Sequence, residues 1–357
     1  MISLLQRFSV SCFSQTRWFF NRWGSRLRRS TTWSKWFYTP PVVKSRSDLY
    51  REYNNWSFAD LHQQECMLAD RPRMAFYHEA IERHIKQGDR VIDLGTGTGI
   101  LAAFASRAGA AKVYAIDHSE ILNHAKALAV ENGISRVDFV AEHSADFHLK
   151  ERVDVIVHEQ MGDFLFDEAM VPNVCDLRDR LLKPGGLILP SCFEFFCEPV
   201  QLNAQRRVPF IWELNVHGFD YSSMKKSQPG ELDYYRMASC DLSVVDCFLG
   251  NPKAGISFDL HTVDQKSLGK KIQFDREVTV AGQLDGLAVY METQVDEDLH
   301  LSSSPMYEGR APHWGFRILR LEQLQVSVGD RLQVTLEVED WSDPDTWQWS
   351  AEKKLVD

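Results

Sequence analysis

The chain has 357 residues, of which 44% are hydrophobic, and a formal net charge of −10. This length and composition predict two globular domains with a substantial core and exclude a fibrous or wholly disordered protein. An acidic protein is expected to bind cationic partners, and direct nucleic-acid binding is not expected. No apolar run reaches the length of a membrane span, so no transmembrane segment is predicted.

Residues 1–47 form a basic extension, rich in Trp and Arg, that holds nine Lys or Arg and no Asp or Glu. An acid-poor start rich in Arg and Ser resembles a mitochondrial presequence. Arg and Trp together would also suit an arm that lies on a membrane surface or contacts nucleic acid. A disordered tail or a wrongly assigned start codon explains the same composition.

Seven cysteines are scattered along the chain, and none forms a C-x-x-C pair. An odd and dispersed set predicts a reducing compartment, no disulfide framework and no metal site. We therefore expect a cytoplasmic protein, with the mitochondrial matrix as the alternative if the extension acts as a presequence.

Downstream of the extension, residues 60–86 carry an apolar face at helical spacing and predict a helix. Strands and helices then alternate, which is typical of a parallel sheet flanked by helices. Strands are predicted at 90–94, 112–117, 137–141, 153–158 and 187–190, and helices at 99–108, 119–132 and 168–182. The sequence Lys-Pro-Gly-Gly at 183–186 predicts a helix stop followed by a turn.

The most informative segment is the glycine loop at 91–99, Val-Ile-Asp-Leu-Gly-Thr-Gly-Thr-Gly. A strand, a glycine loop, a helix and a second strand that ends in an acid form a unit that binds an adenosine cofactor. The three glycines, Gly95, Gly97 and Gly99, let the backbone approach a ligand closely. The acid at the end of the second strand is Asp117, whose carboxylate suits a ribose diol.

The spacing of these glycines separates two classes of cofactor. Dinucleotide binders use G-x-G-x-x-G, so that the pyrophosphate sits at the helix N-terminus. Here the spacing is G-x-G-x-G, and Ile100 stands where the third dinucleotide glycine would be. S-adenosylmethionine has no phosphate, so the spacing favours S-adenosylmethionine over NAD. Asp93, just before the loop, either fixes the loop or faces the amino group of the cofactor.

After residue 190 the pattern changes to short segments of apolar–polar alternation, typical of antiparallel strands in a sandwich or barrel. These segments lie at 193–200, 278–283, 287–292, 316–321 and 332–338. We therefore expect a cofactor-binding α/β domain with an N-terminal helix over 48–190. A β-barrel substrate domain is expected over 191–357.

Residues 203–228 interrupt these segments with a partly apolar stretch that predicts a projecting helical arm. Such an arm would bury its apolar side chains against a second copy of the chain. The side chains concerned are Val208, Phe210, Ile211 and Trp212. A head-to-tail homodimer is the expected assembly.

A second group of polar residues follows the fourth strand, where residues 157–170 read VHEQMGDFLFDEAM. The strand brings Glu159 to the carboxyl edge of the sheet, where ligands bind in open α/β folds. Glu168 stands at the start of the next predicted helix. Two carboxylates nine residues apart suit a guanidinium, which is planar, always charged and bound bidentately by carboxylates. Glu168 would alternatively stabilise only the helix start, whereas a buried Glu159 requires a partner.

These motifs resemble those of the protein arginine methyltransferase family over residues 54–340. The family's double-glutamate loop is matched at 158–170, its M-L-x-D-x-x-R element at 67–73 and its Thr-His-Trp loop at 312–314. Residues 212–224 resemble the segment after the family's dimerisation arm, and residues 287–305 resemble its mid-barrel strands. The resemblance implies a Rossmann-like class I methyltransferase fold with a β-barrel, S-adenosylmethionine as cofactor, an arginine-containing protein or peptide as substrate, and a homodimer.

The resemblance also implies roles for individual residues. Arg73 would pair with the carboxylate of the cofactor, and Ser144 would lie beside its adenine. The full cofactor-binding set is Met67, Arg73, Asp93, Gly95, Gly97, Gly99, Asp117 and Ser144. The catalytic set consists of the substrate clamp, Glu159 and Glu168, and a bracing pair, His313 and Asp70. Met170 and Trp314 are expected to contact the substrate.

The chain departs from the family pattern at several positions. Both tyrosines of the N-terminal helix are missing at 54–58, Asp163 replaces an aromatic residue, Pro312 replaces a threonine and Ala145 replaces an adenine-contacting glutamate. Two alternatives therefore stay open. One is a methyltransferase for another small nucleophile, which would need no carboxylate pair. The other is a catalytically weak partner that activates or scaffolds an arginine methyltransferase, which the intact Glu159 and Glu168 oppose.

Overall fold

A computed structural model describes residues 58–264 and 267–354 of this chain. The basic extension at 1–47 and the positions 54–57 lie outside the described residues. Among the residues that are described, no helix is both long enough and apolar enough to cross a membrane.

Two helices, α1 (Leu61–Ala69) and α2 (Arg71–His84), precede the first strand. The helical structure predicted over 60–86 is confirmed, but it is divided into two helices at Asp70. Its side chain accepts a hydrogen bond from the backbone N–H of Arg73 at 3.1 Å, and Pro72 stands in the first turn of α2. Both features favour a new helix start.

A five-stranded parallel sheet follows, in the order β3-β2-β1-β4-β5, which confirms the predicted Rossmann-like architecture. Its strands are β1 (Arg90–Leu94), β2 (Lys112–Ile116), β3 (Val137–Val140), β4 (Val153–His158) and β5 (Leu182–Leu189), and its helices are α3 (Ile100–Ala108), α4 (Ile121–Glu131) and α5 (Met170–Leu181). The central strand β1 lies between β2 and β4, so the loops after these three strands meet at one edge of the sheet.

The last parallel strand differs from its prediction. The helix stop is correct, since α5 ends at Leu181, but residues 183–186 lie inside β5 rather than in a separate turn. The pairing of β5 with β4 shifts between Val153 and Val155, so the extra residues form a bulge. The domain boundary near residue 190 stays a prediction. The first antiparallel strand begins at Cys192.

The second half of the chain forms antiparallel sheets, as predicted. The larger sheet has the order β10-β6-β13-β15-β9, with β11 paired to β6 and β14 to β13, and a three-stranded sheet has the order β12-β16-β17. The strands are β6 (Cys192–Leu202), β9 (Arg236–Ser239), β10 (Val245–Phe248), β11 (Ile256–Asp259), β12 (Lys271–Glu277), β13 (Gly282–Gln294), β14 (His300–Ser302), β15 (Phe316–Val326), β16 (Arg331–Val338) and β17 (Trp347–Lys354). The strand predicted over 278–283 is wrong, because residues 278–281 connect β12 to β13.

The predicted helical arm at 203–228 is wrong in its secondary structure. It contains no α-helix but two short 3₁₀ helices, Ile211–Glu213 and Ser222–Ser227, and a hairpin of β7 (Asn215–Val216) and β8 (Phe219–Asp220). Pro209 and Gly218 interrupt the stretch, so no uninterrupted helical run is long enough to form.

Two apolar side chains of the arm are also buried differently from the prediction. Phe210 and Trp212 are buried within this chain, where their rings stack with centroids 4.7 Å apart. They are therefore not available to a second copy. Val208 and Ile211 are exposed at 66% and 37%, in agreement with an outward-facing role.

Candidate active site

The glycine loop connects β1 to α3 with a backbone that only glycine adopts easily. Gly95, Gly97 and Gly99 have φ angles of 73°, 53° and 84°. A Cβ added at Gly97 would lie 3.0 Å from Oε1 of Gln64, a buried residue of α1. The backbone at Gly97 therefore lies close to the Gln64 side chain, and glycine fits there without displacing it.

Asp93 has the first of the two functions that its position suggested, since it fixes the loop, and its contact with the amino group of the cofactor stays a prediction. It is fully buried, and its Oδ2 accepts hydrogen bonds from the Thr96 hydroxyl at 2.6 Å and the Ala102 amide at 2.9 Å. These bonds fix the glycine loop to α3. Its Oδ1 has no hydrogen-bond partner within the described part of the chain. Burial raises the pKa of Asp93 to about 7, because a charged carboxylate is disfavoured where water is excluded.

Asp117 lies over the same loop at the end of β2. Its Oδ2 accepts from the Gly97 amide at 2.9 Å, and its Oδ1 accepts from the Ser119 amide at 2.8 Å. Each oxygen retains a lone pair for a ribose hydroxyl. Ser144, after β3, is buried, and its carbonyl accepts from Arg180 at 3.0 Å.

The first predicted substrate carboxylate already binds a guanidinium. Arg73 Nη2 of α2 lies 2.6 Å from Glu159 Oε2, and their side chains are 6% and 14% exposed. The guanidinium carbon of Arg73 also lies 5.6 Å from the ring centroid of Trp314. Burial raises the pKa of Glu159, and the charge of Arg73 opposes that shift. Glu159 is thus a mostly buried carboxylate directly after β4 that is stabilised by a cation.

Asp70 and the loop around His313 join the barrel to the cofactor-binding half. The backbone N–H of His313 donates to Oδ2 of Asp70 at 2.8 Å, and the indole N–H of Trp314 donates to the carbonyl of Met161 at 2.7 Å. The Arg73 amide donates to Oδ1, so both carboxylate oxygens of Asp70 accept from backbone amides. Asp70 therefore has a structural role in this site. The predicted link between Asp70 and His313 is present through the backbone of His313.

Glu168 lies in a turn two residues before α5, which begins at Met170. It therefore does not occupy the helix start that the sequence predicted, and its side chain is half-buried. Met170 is fully buried, and Met67 on α1 is 9% exposed. Their expected contacts with substrate and cofactor stay predictions.

The loop between the two glutamates is anchored by aromatic side chains. The Phe164 ring centroid lies 5.2 Å from that of Trp347, and the Phe166 centroid lies 4.7 Å from that of Trp341. Both tryptophans belong to the barrel half of the chain. The barrel core therefore fixes the loop that carries Glu159 and Glu168.

Asp163, in the same loop, is a residue whose partners the sequence did not reveal. It forms an ion pair with Arg317 of β15, and its Oδ1 accepts from the Gly315 amide at 3.1 Å. A charge in place of the family's aromatic residue was the one available signal. Its partners stand some 150 positions later, so no local pattern identifies them. Among the described residues no cluster of His, Cys, Asp or Glu is arranged to hold a metal ion.

The chain is similar in sequence to known methyltransferases. The family model described as ribosomal protein L11 methyltransferase (PrmA) matches residues 75–192. Protein arginine N-methyltransferase PRMT10 of Oryza sativa subsp. japonica is 30% identical over 325 residues, covering 83% of this chain and 85% of the relative. PRMT10 of Arabidopsis thaliana is 40% identical over 324 residues, covering 82% and 84%.

Two solved structures are similar to this fold. The Trypanosoma brucei PRMT1 enzyme-prozyme heterotetrameric complex with AdoHcy has a TM-score of 0.71 and 25% identity, covering 84% of this chain and 95% of that chain. Arabidopsis thaliana protein arginine methyltransferase 10, in an open conformation, has a TM-score of 0.68 and 26% identity, covering 84% and 98%.

Proposed function

Because this chain belongs to the protein arginine N-methyltransferase family, we propose that it methylates a protein arginine held by Glu159 and Glu168. It is an S-adenosylmethionine-dependent methyltransferase. The proposed role of the two glutamates rests on the 2.6 Å contact between Glu159 and the guanidinium of Arg73. A carboxylate that is buried at this sheet edge and already binds one guanidinium has the chemistry to bind a second one.

The residues around the glycine loop fit the cofactor. Gly95, Gly97 and Gly99 have the positive φ angles that glycine adopts, and the Asp117 carboxylate, which accepts from the Gly97 amide, would bind the ribose. Asp93 Oδ1 and two nitrogens of Arg73, Nε and Nη1, are buried and have no partner among residues 58–264 and 267–354. An acceptor and a pair of cationic donors match the ammonium and carboxylate of an amino acid. S-adenosylmethionine, when bound, supplies a methyl group on a cationic sulfur that a nucleophile can displace directly.

The residues of this chain would hold the guanidinium of the substrate arginine in position. Glu159 and Glu168 would draw its positive charge towards two nitrogens and leave the third nitrogen as the nucleophile. Orientation of this kind contributes roughly 7–11 kcal/mol in favourable systems. After transfer a proton must leave the methylated nitrogen. Glu168 is the better acceptor, because backbone amides occupy both oxygens of Asp70.

Three further expectations belong to this proposal. Ser144 would lie beside the adenine, Met67 and Met170 would shape the methyl-transfer pocket, and Trp314 would support it from the barrel side.

We place the cofactor-binding domain at 48–190 and the substrate domain at 191–357. A cytoplasmic location is proposed, and fusion of residues 1–47 to a fluorescent protein would reveal a mitochondrial presequence.

The arm would mediate a head-to-tail homodimer. Phe219 is 73% exposed, Val208 is 66% exposed, and Val216 and Met224 are also exposed. Apolar side chains grouped on a projecting segment are typical of a protein interface. Helix α4 of the cofactor-binding half offers Leu128 and Val130 as exposed apolar partners.

A second candidate function is that of a catalytically weak partner subunit. One observation favours it: both tyrosines of the family's N-terminal helix are missing at 54–58. The similar Trypanosoma brucei structure, moreover, is an enzyme-prozyme complex. Purified chain incubated alone with labelled S-adenosylmethionine and a Gly-Arg-rich peptide separates the two functions. Labelling of that peptide and not of its Gly-Lys-rich counterpart supports the arginine methyltransferase. No labelling until another methyltransferase is added supports the partner.

A further inference from the structure

A fourth buried polar atom without a partner lies near the orphan atoms of Arg73 and Asp93. It is the hydroxyl oxygen of Tyr77, a residue that is completely buried. No hydrogen-bond partner for this oxygen is present in residues 58–264 and 267–354. Buried hydroxyls in native proteins almost always have a partner, so an exception calls for a ligand or a water molecule.

The position of Tyr77 on α2 indicates which ligand this is. Tyr77 follows Arg73 by four residues, so the two side chains leave the same face of the helix one turn apart. The charges of Glu159, Arg73 and Asp93 all act on the Tyr77 hydroxyl. The i, i+4 spacing therefore puts Tyr77 on the side of α2 that carries the Arg73–Glu159 pair.

The protonation state of the hydroxyl suits a hydrogen-bond donor. Burial raises the pKa of Tyr77 well above its ordinary value, and the negative charge of Glu159 raises it further. The phenol thus stays protonated and can always donate one hydrogen bond. Glu159 is paired with Arg73 in this structure, and no bond joins Tyr77 to Glu159. The acceptor has to come from a group that binds beside Arg73.

We propose that the Tyr77 hydroxyl donates a hydrogen bond to the amino-acid end of S-adenosylmethionine, next to Arg73, as a positioning residue for methyl transfer. This inference rests on the proposed function. Arg73 would supply charge to the cofactor carboxylate, and Tyr77 would fix its orientation. A fixed amino-acid end limits rotation about the sulfur substituents, which directs the methyl group towards the guanidinium bound at Glu159.

The test compares two ligands that differ only at the amino-acid end. S-adenosylhomocysteine has that end, and 5′-methylthioadenosine replaces it with a methyl group. In Tyr77→Phe, calorimetry is expected to show S-adenosylhomocysteine weakened about tenfold, as the loss of a hydrogen bond to a charged group predicts. Binding of 5′-methylthioadenosine should stay within twofold of wild type. The matched control is Tyr114→Phe, whose hydroxyl accepts from Arg90 at 2.6 Å, and it should bind both ligands like wild type.

Two further measurements separate positioning from a purely structural role. Without ligand, the melting temperature of Tyr77→Phe should equal or exceed that of wild type, because the change removes an unpaired buried polar atom. In turnover, the variant should raise KM for S-adenosylmethionine and also lower kcat at saturation, because a loosely held amino-acid end no longer directs the methyl group towards the guanidinium.

The inference is overturned if S-adenosylhomocysteine binds Tyr77→Phe and wild type equally. It is also overturned if both ligands weaken together and the unliganded melting temperature falls, since the hydroxyl would then serve the fold. A wild-type protein that binds neither ligand would overturn the proposed function itself, and this inference with it.

Discussion

Replacing Glu159 with Gln is expected to lower the melting temperature of the protein. Binding of S-adenosylhomocysteine is expected to restore part of the lost stability. Arg73 and Glu159 are in contact at 2.6 Å, with side chains only 6% and 14% exposed. Removing one charge of a buried ion pair leaves the other unpaired and costs about 3–5 kcal/mol. Since Gln keeps an acceptor oxygen, we expect the lower limit of about 3 kcal/mol, or roughly 6–12 °C in melting temperature at 2–4 °C per kcal/mol.

The carboxylate of S-adenosylhomocysteine is expected to restore this stability. In Glu159→Gln this carboxylate becomes the missing partner of the Arg73 guanidinium. Saturating S-adenosylhomocysteine should therefore raise the melting temperature of the variant by several degrees more than that of wild type. Thermal denaturation of both proteins, with and without the ligand, measures the difference.

The barrel provides a matched control. Glu198 and Arg276 form an ion pair at 2.6 Å whose side chains are 1% and 7% exposed. Glu198→Gln should lose comparable stability, but S-adenosylhomocysteine should raise its melting temperature only as much as that of wild type. An equal ligand-induced rise in both variants would refute the placement of Arg73 at the cofactor carboxylate. So would a Glu159→Gln protein that melts like wild type.

Three other predictions concern the cofactor site and the arm. Asp117→Ala should weaken S-adenosylhomocysteine at least tenfold in calorimetry, because the ribose loses its acceptor, and unchanged affinity would exclude that role. Burial raises the pKa of Asp93 from 3.8 to about 7, so the folded chain holds a proton that the unfolded chain releases. The contribution of Asp93 to stability should therefore fall as pH rises from about 4 to 7. S-adenosylhomocysteine affinity should increase between pH 6 and 8, and Asp93→Asn should abolish that increase. Light scattering at tens of micromolar should report a dimer for wild type and a monomer for Phe219→Asp, and a monomeric wild type would contradict the proposed interface.

The parts of the molecule that the sequence predicted well are those defined by neighbouring residues. The glycine loop, Asp93 and Asp117 lie within one strand–loop–helix–strand unit, so their spacing alone specifies their geometry. Alternation predicted four of the antiparallel strands, β6, β13, β15 and β16, because it works where one face is buried. It gave no sign of β9, β10, β11, β12, β14 and β17. It failed at 278–281, where Val278 is buried in a connection rather than in a strand.

Contacts between distant residues could not be derived in this way. The Asp163–Arg317 pair and the His313–Asp70 bond join positions that are 154 and 243 residues apart. Packing of Phe164 and Phe166 against the barrel tryptophans likewise depends on how the two halves meet. The prediction for the arm was wrong for a related reason, because its apolar Phe210 and Trp212 pack against residues of their own chain. One such partner is Arg320, whose guanidinium carbon lies 4.0 Å from the Phe210 ring centroid.

The most direct test of the proposed function is a comparison of methyl transfer to a Gly-Arg-rich peptide by four proteins. These are wild type, Glu159→Gln, Glu168→Gln and the double variant. If the two glutamates hold one guanidinium, each single change should lower turnover by orders of magnitude with S-adenosylhomocysteine still bound. The double change should cost much less than the sum of the two. A Glu168→Gln protein that keeps full turnover but melts at a lower temperature would contradict the account. Glu168 would then support only the turn before α5, and a methyltransferase for small amines would become the better description.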